Sequence, residues 1–189
     1  MQTLGDLGVD VNYHSVDVRD HEAVCSLVET IYEKRGRIDG VIHGAGVLDD
    51  RLMADKSAAS FERVFDTKVI GAQALVERLR SDTQFVVFFS SVSGAFGNRG
   101  QVDYAAANDA LDKLAFCLQQ RIDGRVLSVN WGPWADTGMV NAALEREYRR
   151  RGIGLIPPDA GIRALLEELS SIQGPTQVVL MCADPSAMA

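Results

Sequence analysis

Residues 88–109 read FFSSVSGAFGNRGQVDYAAAND, and the order of events in this stretch decides the fold. It opens as the end of an apolar run, QFVVFFSS (84–91), a continuous strand of the kind found in parallel sheets covered on both faces. The chain then loosens into a glycine-containing loop and restarts as a helix from about Val102 to Arg121. Tyr104 and Asn108 lie four apart, so on a helix they share one face about a turn apart. The alanines between them keep that surface low, which lets a backbone or a flat ligand come close.

The flanking sequence repeats the strand–helix theme. Upstream, VNYHSVDV (11–18) reads as a short strand. Asp20 then caps a helix from about His21 to Lys34, with Val24, Leu27, Val28 and Ile31 at helical spacing. DGVIHGAG (39–46) reads as a buried strand running into glycines. Ser57 caps a long helix to about Leu79, with Phe61, Val64, Phe65, Ala72, Leu75, Val76 and Leu79 on one face. Downstream come the strand GRVLSVNWG (124–132), helices near Ala142–Arg151 and Asp159–Leu169, and a last strand TQVVLMC (176–182). Strands alternating with helices predict one α/β domain over residues 1–189, a Rossmann-like parallel sheet with helices on both faces. Ligands of such sheets bind at the carboxyl ends of the strands. DVRD, HGAGVLDD, SSVSG and NWGPW all fall there, so one sheet edge gathers most of the glycines and polar side chains.

Composition narrows the function. The chain has 189 residues, 47% of them hydrophobic and 24% charged, enough to bury one substantial core. A formal net charge of −7 argues against a broad nucleic-acid or anionic-membrane surface, since both need clustered positive charge. No apolar run approaches the roughly 18–20 residues that span a bilayer. The N-terminus MQTLGDLGVD lacks the basic and apolar regions of a signal peptide. Cys25, Cys117 and Cys182 lack the close spacing of a zinc site and read as reduced, mostly buried thiols. The expected setting is the cytoplasm, with no metal, nucleic acid or membrane involved.

The chemistry-bearing residues are Lys68, Ser91, Tyr104 and Asn108. Lys68 falls among Phe61, Phe65, Ala72 and Leu75, on a face that should be buried, where lysines are rare unless paired or functional. Together these groups suit reduction of a carbonyl by hydride. The developing alkoxide needs a proton, and a tyrosine of ordinary pKa near 10 is a reluctant partner at neutral pH. A nearby ammonium would lower that pKa. A serine hydroxyl can hold the carbonyl oxygen, and the asparagine amide can position the lysine, the tyrosine or a water. The hydride itself must come from a cofactor. Against this stands the lack of a G-x-G-x-x-G turn or a G-x-x-x-x-G-K phosphate loop. Gly44-Ala45-Gly46 imitates only the first half of the former.

From VNYHSVDVRD to QVVLMC the chain resembles the ketoreductase domains of modular polyketide and polyunsaturated fatty acid synthases, members of the short-chain dehydrogenase/reductase superfamily. The blocks HGAGVLDD, FERVFDTKVIGA, FVVFFSSVSGAFGNRGQVDYAAAND and VLSVNWGPWADTGMV carry the resemblance. Ordinary members of the superfamily place a lysine four residues after the tyrosine and an asparagine on the preceding long helix. Here Lys68 and Asn108 have exchanged those places, as they do in the synthase ketoreductases. The resemblance implies NADPH as hydride donor and a β-ketoacyl thioester on acyl carrier protein as substrate, with the remaining synthase domains as partners. It assigns proton donation to Tyr104, carbonyl hydrogen bonding to Ser91, and support of the proton relay to Lys68 and Asn108. Asp17 and Val18 match the family's adenine-contacting pair. His43, Gly44, Ala45 and Gly46 match its cofactor-lining turn, usually H-A-A-G, and Pro133 and Trp134 match the segment beside the nicotinamide. Leu48-Asp49-Asp50 resembles the motif of B-type ketoreductases, and Phe96 stands where A-type enzymes carry a tryptophan. Both imply a D-configured hydroxyl, and Met139 lies where the family's substrate lid begins. The match starts at the family's third strand, so the resemblance implies an N-terminally truncated domain without the first β-α-β unit.

Each residue also has an ordinary reading. Ser90-Ser91 can be a turn or a helix cap, Tyr104 a packing residue and Lys68 a snorkelling one. His43 reads as a structural histidine, Asp49 and Asp50 as a solvated loop pair, and Trp131 and Trp134 as packing. The run REYRRRG (146–152) reads as a solvated helix face or a contact for an acidic carrier protein. Two further functions stay open: a catalytically incompetent fragment with a structural or interaction role, and a free-standing short-chain alcohol dehydrogenase.

Overall fold

A computed structural model describes residues 4, 6–136, 142–171 and 173–183. Helix α1 (His21–Arg35) starts where expected, the Asp20 carboxylate accepting from the Ala23 N–H. It ends at Gly36, whose φ of 79° suits glycine and whose N–H bonds to the Tyr32 carbonyl. Helix α2 (Ala58–Arg78) is capped by Ser57, which accepts from Ser60 N–H. The sheet strands are β1 (Gly40–His43), β2 (Phe85–Ser91) and β3 (Arg125–Trp131), followed after the helices by β5 (Gln177–Leu180). All pair in parallel in the order β1-β2-β3-β5, with Phe88 opposite Ser128 and Ser90 opposite Asn130.

The pleat divides the side chains between two faces. Val86 and Phe88 of β2 and Val126 of β3 meet Ala72 and Val76 of α2. The same cluster holds Leu111, Ala115 and Leu118 of α4 (Val102–Gln119). On the other face Val87, Leu127, Val129 and Trp131 pack with Leu165 and Leu169 of α6 (Pro158–Ser170). Burying each large apolar side chain contributes about 1.5–3 kcal/mol, so packing on both faces, rather than helix propensity, sets where these helices lie. The parallel, doubly covered sheet expected from the alternation is present.

Several local expectations differ. Residues 11–18 are not a strand: they form no ladder, and Val11 and Tyr13 are exposed. Strand pairing needs a neighbour and an alternating pattern needs a core to face, and among the described residues β1 is bonded only to β2. The second strand is shorter than 39–46 and stops at His43. The loop expected after Ser91 contains a short helix α3 (Val92–Phe96). Two short segments, β4 (Ile153–Gly154) and β6 (Cys182–Ala183), pair antiparallel beyond the main sheet. Helix α5 (Ala142–Arg150) precedes β4. Only Cys25 is buried; Cys117 and Cys182 are exposed, because each lies on the outward side of its element. Met139 lies outside the described residues. No helix of the described residues is long and apolar enough to cross a membrane.

Candidate active site

The carboxyl ends of the strands converge as predicted. Asp17 and Val18 reach this edge through a close approach at Gly71 in α2. A Cβ there would sit 3.0 Å from the Val18 Cβ and 3.1 Å from its carbonyl oxygen. The same missing Cβ makes room for His43, whose Cε1 is 3.4 Å from that position. His43 is buried and bonded through Nε2 to the Lys68 carbonyl at 2.9 Å. Burial pulls its pKa down to about 4, so it is neutral and structural, in keeping with its ordinary reading. Asp17, paired with Arg19, stays exposed with its pKa lowered to about 2, chiefly by the Arg19 hydrogen bond.

Lys68 is buried, as its helical face predicted. Its ammonium donates to the Phe89 carbonyl at 2.9 Å and lies 5.4 Å from the centroid of the Tyr104 ring. The stem runs beside Gly46, where a Cβ would come 3.1 Å from the Lys68 Cε. Burial brings the lysine pKa down to about 8, opposed by the charge of Asp112. The expected drop in the Tyr104 pKa is not found. Burial raises it, and hydrogen bonding with Ser91 and Asn108 only partly opposes the rise. The ammonium faces the ring, whereas burial acts on the phenol itself, so the net shift is upward.

Ser91 ends β2 and also caps α3, accepting from the Ser93 N–H at 3.1 Å. The cap reading of that serine is therefore correct alongside its place beside Tyr104. Asn108 is fully buried; its Nδ2 donates to the Tyr104 carbonyl at 2.6 Å. Its Oδ1 is buried without a protein partner among the described residues. A buried acceptor left open is costly, so this one fits a site completed by a bound molecule or a water.

The loop after β1 is not a solvated acidic pair. Asp49 accepts from Ser60 Oγ at 2.6 Å, Arg63 at 2.6 Å and Arg51 at 2.9 Å, contacts that hold its carboxyl well below the usual range. Asp50 is exposed and accepts from Gln101 Nε2 at 2.9 Å. Leu48 sits half-buried at the start of this loop, and Phe96 is exposed on α3. Gly44 leaves open space at the mouth, with only Phe89 4.0 Å from where a Cβ would stand. Ala45 beside it is half-buried. Pro133 follows β3, and the Trp134 ring packs 4.7 Å from Trp131 and against Gly161 of α6. That ring takes part in packing beside the second core cluster, and the 133–135 backbone is bonded to Ile156.

Two buried polar systems were missed. Lys56 pairs with Asp103, their side chains 3% and 1% exposed. Lys56 also donates to the Asp49 carbonyl at 2.5 Å, and Asp103 accepts from the Tyr104 N–H at 2.8 Å. The pair therefore ties the Leu48–Asp50 loop to the residue next to Tyr104. Beneath α4, buried Asp112 accepts from Ser128 Oγ at 2.5 Å, Asn130 Nδ2 at 2.8 Å and Gln177 Nε2 at 3.0 Å. Asn130 Nδ2 also reaches the Ser91 carbonyl at 2.9 Å, so three strands fix the serine's backbone. The acid before Tyr104 and the polar residues inside apolar strands were visible in sequence, but their partners lie 47 and 16–65 positions away.

Comparison with known proteins identifies the family. A family model described as KR domain matches residues 1–136. A polyunsaturated fatty acid synthase protein from Thraustochytrium is 38% identical over 157 residues, 82% of this chain and 6% of that protein. The polyketide synthase PksN of Bacillus subtilis is 34% identical over 190 residues, 95% of this chain and 3% of its own. Among solved structures, a ketoreductase from the first module of phoslactomycin biosynthesis in Streptomyces superposes with a TM-score of 0.91 at 33% identity. It is matched over 98% of this chain and 43% of its own. A short-chain dehydrogenase from Streptomyces avermitilis shares the fold at TM-score 0.79 and 19% identity, covering 99% of this chain and 75% of its own. The chain thus spans only a few per cent of its synthase relatives. The short-chain dehydrogenase/reductase fold implies a nicotinamide cofactor. With the lysine and asparagine exchanged between α2 and α4 and the strand ends gathered around Tyr104, the chain belongs to the KR family, the ketoreductases of polyketide and polyunsaturated fatty acid synthases.

Proposed function

We propose that the chain is the catalytic part of a β-ketoacyl reductase that reduces a β-ketoacyl thioester, carried on acyl carrier protein, to the β-hydroxyacyl thioester at the expense of NADPH. Bound NADPH would supply the hydride to the β-carbon. Tyr104 then gives its phenolic proton to the carbonyl oxygen. Burial raises its pKa and so makes the phenol a weaker acid. Charge on a bound cofactor and the nearby Lys68 ammonium would have to offset that rise for efficient donation. Ser91 holds the carbonyl oxygen by hydrogen bonding, and Lys68, with a pKa near 8, replaces the phenol's proton through the relay that Asn108 orders. Lys68, Tyr104 and the turn His43–Gly46 would hold the nicotinamide end, with Pro133 and Trp134 beside it and Asp17–Val18 at the adenine end. The pyrophosphate cradle is proposed to come from a preceding segment of the synthase, since no G-x-G-x-x-G turn occurs in the 189 residues. The Leu48-Asp49-Asp50 loop and Phe96 support B-type stereochemistry with a D-configured hydroxyl, with Met139 in the substrate lid. The remaining synthase domains are the proposed partners and the cytoplasm the proposed setting.

The observation that carries the proposal is Lys68 buried on α2 against Tyr104 of α4, in a chain of the KR family. NADPH oxidation with a β-ketoacyl thioester surrogate tests it, run with and without the upstream synthase segment. Turnover in the extended form that Tyr104→Phe abolishes, with NADPH binding retained, supports the assignment. No turnover in the extended form rejects it in favour of a non-catalytic fragment. Loss of NADPH binding in Tyr104→Phe shows that the tyrosine's role is misassigned.

A further inference from the structure

We propose that His21, Cys25 and Glu77 form a three-ligand site for a zinc-class divalent cation that clamps α1 to α2. His21 and Cys25 are four apart on α1 and so project from one helix face. Glu77 meets them from the end of α2, its Oε2 2.8 Å from the His21 Nε2. The Cys25 Sγ lies 3.8 and 3.9 Å from the two His21 ring nitrogens. All three ligand atoms fall within 4.8 Å of one another.

These separations suit tetrahedral zinc. Zinc bonds of about 2.0–2.3 Å to nitrogen, oxygen and sulfur put neighbouring ligand atoms roughly 3.3–3.8 Å apart. Small side-chain rotations reach that spacing from the present one. Imidazole, thiolate and carboxylate are a ligand set that zinc accepts, and one thiolate with one carboxylate neutralises the divalent charge. Binding replaces the Cys25 thiol proton, which passes to solvent. His21 and Glu77 are 43% and 51% exposed while Cys25 is buried, so the cation enters from the open side and keeps a water as fourth ligand. Arg78, the cation beside this cluster, is also paired with Glu29 at 3.2 Å and keeps that partner when Glu77 turns to the metal.

The position gives the site a purpose. Helix α1 rests on α2 through a small cluster of Val24, Cys25 and Ala74 with Val16 and Leu75. The segment leading into α1 has no ladder to hold it. A metal bridge would add to the attachment of α1, which directly follows the turn of Asp17 and Val18. Glu77 is nine residues from Lys68, roughly 13 Å along the helix, so the site is structural and separate from the reacting atoms.

Cobalt(II) is the probe, titrated into the chain with Cys117→Ser and Cys182→Ser so that the exposed thiols do not bind it. One equivalent should give a thiolate-to-cobalt charge-transfer band and the intense visible bands of tetrahedral cobalt, both removed by zinc. His21→Gln and Glu77→Gln, at half-exposed positions, should each weaken binding about tenfold or more, and Cys25→Ser should remove the charge-transfer band. Zinc should raise the thermal unfolding midpoint of the parent and not of His21→Gln. Absence of the charge-transfer band in the parent, or binding unchanged by His21→Gln and Glu77→Gln, overturns the proposal.

Discussion

The Lys56–Asp103 pair supports a quantitative prediction. Both side chains are almost wholly buried, and the pair joins the loop after β1 to the first turn of α4. Lys56→Met leaves the Asp103 carboxylate buried without a counter-charge. Removing one partner of a buried pair costs about 3–5 kcal/mol, against a total stability of about 5–15 kcal/mol for a domain. Asp103→Asn leaves an unpaired buried ammonium and should cost a similar amount. The double variant strands neither charge, so it should cost no more than either single change, leaving a coupling of at least about 3–5 kcal/mol. Urea unfolding followed by the fluorescence of Trp131 and Trp134, which pack together beside the core, measures all four corners of the cycle. An additive cycle with a Lys56→Met cost below about 1 kcal/mol, the scale of exposed pairs, would refute the reasoning.

Other outcomes can be checked in the same way. His43 has a folded pKa of about 4 against an ordinary value of 6.5, so the unfolded chain binds more protons between those values and stability falls as pH drops through that window. The loss should be of order 3 kcal/mol and should be largely absent in His43→Gln, as pH-dependent urea midpoints would show. For Lys68, lowered from 10.5 to about 8, the unfolded chain again holds the extra proton, so stability rises as pH climbs from about 8 to 10.5. Lys68→Met should flatten that rise. Gly71→Ala places a Cβ 3.0–3.1 Å from Val18, so the turn carrying Asp17 must shift. Nucleotide affinity of the extended form, read by fluorescence titration, should fall while the urea midpoint changes little.

Much of the molecule was legible in the sequence because its signals are local. The caps Asp20 and Ser57, the apolar strand before Ser91, and the i, i+4 pair Tyr104 and Asn108 depend on residues close along the chain. Alternating periods of two and 3.6 residues are enough to specify a doubly covered parallel sheet. Lys68 stood out for a related reason, since a lysine on an apolar helical stripe conflicts with its surroundings whatever the topology. These local patterns determined the fold class and marked out the candidate site residues.

Tertiary structure decided what depends on distant partners. Residues 11–18 have a strand's pattern but among the described residues lie beside no strand that pairs with them, and only the sheet order reveals that. The direction of the pKa shift at Tyr104 follows from how deeply the phenol is buried, and burial is not written in the spacing. Asp49 turned from an apparently solvated acid into a triply bonded one through Ser60, Arg51 and Arg63. Lys56 with Asp103, and His21 and Cys25 with Glu77, come together only because α2 carries or adjoins one member of each group and packs against both α1 and α4. Charge and hydrogen-bond energies depend on separation in space and on burial, and a sequence records neither until the helices have packed.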